Sequence, residues 1–141
     1  MAKDTAALLE ELKGFSDFRR FYEENASELQ SLSLSAALSA LLKKKGMEKS
    51  QAAARSQMSE VYAYQIFSGV RLHPSRGKVL CLTIAMGLTL EETQTLLKQT
   101  GYPPLYARDP FDCAVIYGVC RGMDVPAVNG LLYEYTGETL G

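Results

Sequence analysis

Apolar residues recur along the chain at three-to-four spacing, the period of a helix buried on one side, so the pattern predicts an all-α protein. Residues 5 to 13 place Leu8, Leu9 and Leu12 on one face. Gly14 interrupts, and Ser16 stands where it can cap a second helix carrying Phe18, Phe21, Tyr22 and Leu29. These faces need cover, either from the rest of the chain or from a second subunit. Leu38, Leu41 and Leu42 form the apolar side of the next helix. It ends in Lys43 to Lys45 before Gly46, where cations complement the helix dipole, and the same lysines are candidates for DNA contact.

Two short helices and a tight turn follow between Lys49 and Arg76, with a basic loop behind them. Residues 50 to 56 are rich in Ala and Gln, and Ala52 and Ala53 are small enough for another helix to cross closely. The turn runs through Gln57 and Met58. Ser59 then caps a helix over about 59 to 68, with Glu60 in its first turn and Gly69 at its end. Tyr62, Ala63, Ile66 and Phe67 share the core side of that helix, and Glu60, Val61, Tyr64, Gln65 and Ser68 the opposite side.

Beyond it the pattern repeats at an ungapped offset of 35 residues: Gly87, Leu96, Leu97 and Leu105 fall on Gly122, Leu131, Leu132 and Leu140. Leu80, Leu82, Ile84, Leu88 and Leu90 fall on Val115, Tyr117, Val119, Met123 and Val125, while Thr89 and Asp124 both suit a helix cap. This reads as a repeated helix pair. The proline-rich link over 101 to 110 joins the two copies and is anchored by Leu105 and Tyr106.

Ala53 in the first motif helix, the polar cap Ser59 and Gly69 behind the second helix resemble the lambda-repressor-like, or XRE, helix-turn-helix family. The resemblance covers residues 33 to 100, and YAYQIFSG followed by PSRGKVLCLTIAMGL is similar to a bacterial subgroup of that family. It implies a five-helix DNA-binding unit over 32–100, an acidic helical extension over 1–31 and a carboxy-terminal helical pair over 101–141. Gln57 stands where the family usually has a turn glycine, and Phe67 where it often has an acidic residue. Gln57 must then enter the left-handed region, and Phe67 should be buried against Leu38 or Leu42.

The same resemblance places the 59–68 helix in the major groove. Gln65 and Tyr64 then read base edges, Val61 meets a thymine methyl and Glu60 accepts from a cytosine amino group; otherwise the stripe is solvated or touches protein. Lys49, Ser59, Tyr62, Arg71, Ser75 and Arg76 are the candidates for backbone phosphates, with Lys78 behind them, and His73 is either a phosphate donor or an exposed loop residue.

Net charge is −1, but its distribution is uneven. Residues 32–100 hold nine basic against four acidic residues, whereas 1–31 hold four against seven and 101–141 two against five. A modest basic centre neutralises few phosphates, so one copy should bind DNA weakly and a homodimer is expected, with the flanking helices as its surface. The low overall charge and Glu60 support another reading: a protein-interaction adaptor that uses Val61, Tyr64 and the acidic flanks.

No window has the apolar length of a membrane span, and the amphipathic, acidic amino terminus points to the cytoplasm. Cys81, Cys113 and Cys120 fit neither a disulfide framework nor a zinc site and read as buried thiols. With one histidine, no glycine-rich phosphate loop and no ligand spacing, the expectation is no catalytic residues, no metal and no cofactor.

Overall fold

The computed structural model describes residues 4–25 and 33–141, and among these it is all-helical. The helices are α1 Thr5–Gly14, α2 Phe18–Glu24, α3 Leu34–Lys45, α4 Lys49–Arg55, α5 Glu60–Ser68, α6 Arg76–Ala85, α7 Leu90–Gln99, α8 Pro110–Cys120 and α9 Val125–Thr136. Their starts follow from local chemistry. Every helix except α4 opens on an Asp, Ser or Thr whose side-chain oxygen accepts a first-turn N–H. At α4 the N–H of Glu48 donates to Gln51 Oε1 at 3.0 Å. The cap of α2 is Asp17 rather than Ser16, because its carboxylate reaches the Arg19 N–H at 3.1 Å.

The chain forms two compact units, one ending at Ser31 and the other running from Leu32 to Gly141. In the first, Phe21 is buried, with Phe15 edge-on at 5.3 Å and Phe18 stacked at 6.4 Å. Within this unit α1 buries no residue and Leu9, Leu12, Phe18 and Tyr22 are exposed, so their cover is left to contacts outside it. Leu29 lies outside the described residues.

The second unit is built around α6, in which Val79 through Ala85 are all buried. A helix apolar on every side needs cover on every side. Helices α4 and α9 pack on α6, α3 and α4 pack on α5, α8 packs on α9, and α7 packs on α8. Ala52 and Ala53 are buried, so α4 meets its neighbours without intervening bulk. Phe67 is buried in the same core cluster as Leu38 and Leu42, and its burial stabilises by about 2 kcal/mol.

Gln57 adopts φ 65, the one positive-φ residue other than glycine among those described. The crowded Cβ costs about 1 kcal/mol, while glycine would lose more chain entropy on folding. Gln57→Gly is therefore expected to stabilise by a net ~0.5 kcal/mol. A lower denaturant midpoint for the variant in equilibrium unfolding would show that the turn is not strained at this position.

The offset of 35 residues is a structural repeat. Gly87 and Gly122 turn at φ 67 and 66, and Leu88 N–H to Thr83 O at 3.1 Å matches Met123 N–H to Gly118 O at 3.0 Å. Thr89 and Asp124 cap the second helix of each pair. After each pair the chain returns along its own helix: Leu105 N–H donates to Gln94 Oε1 at 2.7 Å, and Leu140 N–H to Asn129 Oδ1 at 2.8 Å. Between the pairs α7 packs on α8 and α9 on α6, while the second pair packs more closely on itself than the first does.

Cys81 is buried, and burial pushes its thiol up, partly offset by the charge of Lys78. Cys113 and Cys120 are exposed, which corrects the expectation of three buried thiols: the apolar run of α8 has an uncovered side, and both lie on it.

Candidate nucleic-acid interface

The amino-terminal end of α5 points outward because its cap is internal to the turn. Ser59 Oγ accepts the Tyr62 N–H at 3.2 Å, leaving Ser59, Glu60 and Val61 exposed. Tyr64 is exposed one turn on, Gln65 is half-buried, and Ala63, Ile66 and Phe67 face inward. The two stripes expected from the sequence are thus separated by burial except at Tyr62 and Gln65, one from each, which are both half-buried. Lys49 is exposed at the first position of α4.

Gly69 ends α5 in the left-handed region, and the loop folds back onto the helix. The Arg71 N–H donates to the Gln65 carbonyl at 3.1 Å, and Arg71 Nε donates to Gln65 Oε1 at 2.7 Å. The same guanidinium lies 4.2 Å from the Tyr62 ring centroid, with Lys78 Nζ 5.5 Å from that ring. Each cation gains about 0.5–1 kcal/mol from an exposed ring face. Tyr62, Gln65 and Arg71, which are among the expected site residues, therefore meet, and Lys78 joins them from α6.

Tyr102 holds the far side of the loop by donating its hydroxyl to the Pro74 carbonyl at 2.6 Å. Burial pushes that hydroxyl up, and the neighbouring Tyr62 adds to the shift. His73 is exposed with its ring 6.1 Å from Tyr102. Ser75 caps α6 by accepting the Lys78 N–H at 3.3 Å.

Arg76 is placed differently from the expectation that it contacts phosphate. Its Nη1 and Nη2 donate to the two Asp112 carboxylate oxygens at 2.7 and 2.8 Å, and Nε and Nη2 donate to Pro103 O at 3.0 Å and Pro104 O at 3.1 Å. With these donors committed within the chain, Arg76 clamps α6 to the link and to α8. Lys44 and Lys45 are likewise committed, at 3.1 and 2.8 Å from Glu92. The Lys45 hydrogen bond, then the Thr89 N–H, then Lys44 and the Lys45 charge hold the Glu92 carboxyl down at about 2 against the opposing effect of burial. Among the described residues no carboxylate pairs with Lys43, Lys49, Arg55, Arg71 or Lys78, so these carry the available positive charge around the motif.

The sequence pattern gave no role to Tyr102, Val70 or Leu72. Val61 at the start of α5 and Val70 and Leu72, the chain neighbours of Arg71 beyond its end, are 69 %, 73 % and 70 % exposed. Their signal was the alternation of apolar and basic residues over 70–73 without a helical period. Among the described residues there is no group of three or more His, Cys, Asp or Glu side chains able to hold a metal, and no helix long and apolar enough to cross a membrane. No family model, no curated protein and no solved structure matches the chain.

Proposed function

We propose that the second unit is a sequence-specific DNA-binding module of the lambda-repressor-like helix-turn-helix kind, acting as a cytoplasmic transcriptional regulator and as a homodimer. The observation that carries this is the α4–turn–α5–loop arrangement, in which an exposed recognition stripe stands beside Arg71 braced between Gln65 and Tyr62. Glu60, Val61, Tyr64 and Gln65 read bases from α5 in the major groove. Lys49, Ser59, Tyr62, Arg71, His73, Ser75 and Lys78 serve the backbone. Arg76 is left out, since four of its five N–H donors are occupied within the chain.

The test is retention of random duplex DNA by the purified protein at low and near-physiological salt, with sequencing of the retained pool. An enriched motif with two related half-sites supports the assignment, and absence of retention at either salt rejects it. Arg71→Ala is expected to weaken binding to all sequences alike, about tenfold or less, and to reduce the salt slope by about one. Unchanged retention by this variant removes the loop from the interface.

The exposed Val61, Val70 and Leu72 favour a second reading, a protein-interaction adaptor on the same scaffold. An apolar protein contact changes little with salt, whereas phosphate binding falls steeply, so the salt series separates the two.

A further inference from the structure

The repeat exposes on its second copy a face that its first copy buries. At the 35-residue offset, Val79, Leu82, Leu96 and Thr100 correspond to Ala114, Tyr117, Leu131 and Tyr135. Leu82 and Thr100 are 0 % and 7 % exposed, whereas Tyr117 and Tyr135 are 48 % and 73 % exposed. The difference is cover. Helix α4 packs on α6, and α3 is tied to α7 through Lys44, Lys45 and Glu92, but no helix of the second unit lies over the equivalent side of α8 and α9. The uncovered face is a groove of about 490 Å³ lined by Pro110, Cys113, Ala114, Tyr117, Leu131 and Tyr135, with no charged side chain in its lining.

We propose that a second copy of the chain covers this groove, α8–α9 hairpin on α8–α9 hairpin, about a two-fold axis near Tyr117. The corresponding face of the first pair is covered by helices of this same chain, so the surface has the chemistry to receive helices. Two tyrosines in a lining without charge, with an arginine at its edge, are also the composition of an interface core. The charges at the groove ends favour a second copy over a foreign helix. Arg121 closes α8 at one end, its guanidinium 3.7 Å from the Tyr117 ring. Because α9 packs antiparallel to α8, Glu134 near its end lies toward the other end of the groove. A two-fold axis reverses the hairpin and brings Arg121 of one copy toward the partner's Glu134, and the reverse contact forms at once.

The interface deepens the homodimeric reading above, but its test uses no DNA, so failure of DNA recognition and failure of the dimer are separately visible. Light scattering on the full chain is expected to give twice the 15.5 kDa chain mass at about 50 µM. Tyr135→Glu changes a side chain exposed in the single chain, so folding should be retained by circular dichroism while the dimer dissociation constant rises at least about tenfold. Arg121→Glu and Glu134→Arg are each expected to weaken self-association, whereas a mixture of the two should form a heterodimer, because both reciprocal contacts are then restored. A monomeric wild-type chain overturns the proposal and leaves the groove to a different partner. A dimer indifferent to Tyr135→Glu, or a mixture that fails to associate, overturns it as well.

Discussion

Asp112→Ala is expected to destabilise the second unit by about 3 kcal/mol and to lower its thermal midpoint by roughly 10 °C. The Asp112 side chain is 8 % exposed and that of Arg76 24 %, so removing the carboxylate leaves a largely desolvated guanidinium without its counter-ion. It also strands the Tyr106 N–H, which donates to Asp112 Oδ2 at 2.9 Å. Three elements are held at this one carboxylate: α6, the link and α8. A midpoint within about 2 °C of wild type in calorimetry would show that the clamp contributes little.

The same pair predicts a pH dependence. Burial pushes the Asp112 carboxyl up, but the Arg76 hydrogen bond, the Tyr106 N–H and the Arg76 charge together outweigh it and hold the group below its ordinary 3.8. A lowered folded value means that the contribution is complete above the ordinary value and is lost as pH falls through the folded one. Glu92 acts with the same sign between its ordinary 4.5 and about 2. Stability should therefore decline below about pH 4, and less steeply in Asp112→Asn than in wild type. Parallel acid-unfolding curves for the two proteins would contradict this assignment.

Replacing Tyr64 and Gln65 together by alanine is the functional change with the largest expected effect. If α5 reads bases, preference for the selected motif over random duplex should fall about a hundredfold, or ~3 kcal/mol, since each specific base contact is worth about 1–3 kcal/mol. Non-specific retention should keep most of its salt dependence, because Lys49 and Lys78 are untouched and Arg71 loses only its brace at Gln65 Oε1. The comparison is a competition binding series at fixed salt. An unchanged motif preference places base reading elsewhere or removes it.

Helix starts were legible because capping is settled within three residues: Ser59 and Thr89 each accept from a backbone N–H of their own first turn. The paired hairpins were legible for the same reason, since a glycine turn, a cap and a leucine period are local signals that survive at a fixed offset. Burial of Phe67 followed from the helical period, whereas the left-handed Gln57 was expected only from the resemblance, which puts a turn glycine at that position. The cap of α2 was expected one residue early, at Ser16 instead of Asp17, because spacing along the sequence does not separate adjacent acceptors.

The sequence by itself determined that the chain is helical, where most helices begin and turn, and which side of α5 faces the core, because all of these are fixed by contacts within about four residues. Only the tertiary structure decided what the charged and apolar side chains do. Arg76 finds Asp112 36 positions away, Lys44 finds Glu92 48 away, and Arg71 is aimed by a loop that returns to Gln65. Whether Cys113, Tyr117 and Tyr135 are covered depends on where other helices lie, not on the period of α8 and α9. A long side chain is indifferent to sequence distance: its partner is chosen by which helices the core brings together, and that choice appears only once the whole unit is packed.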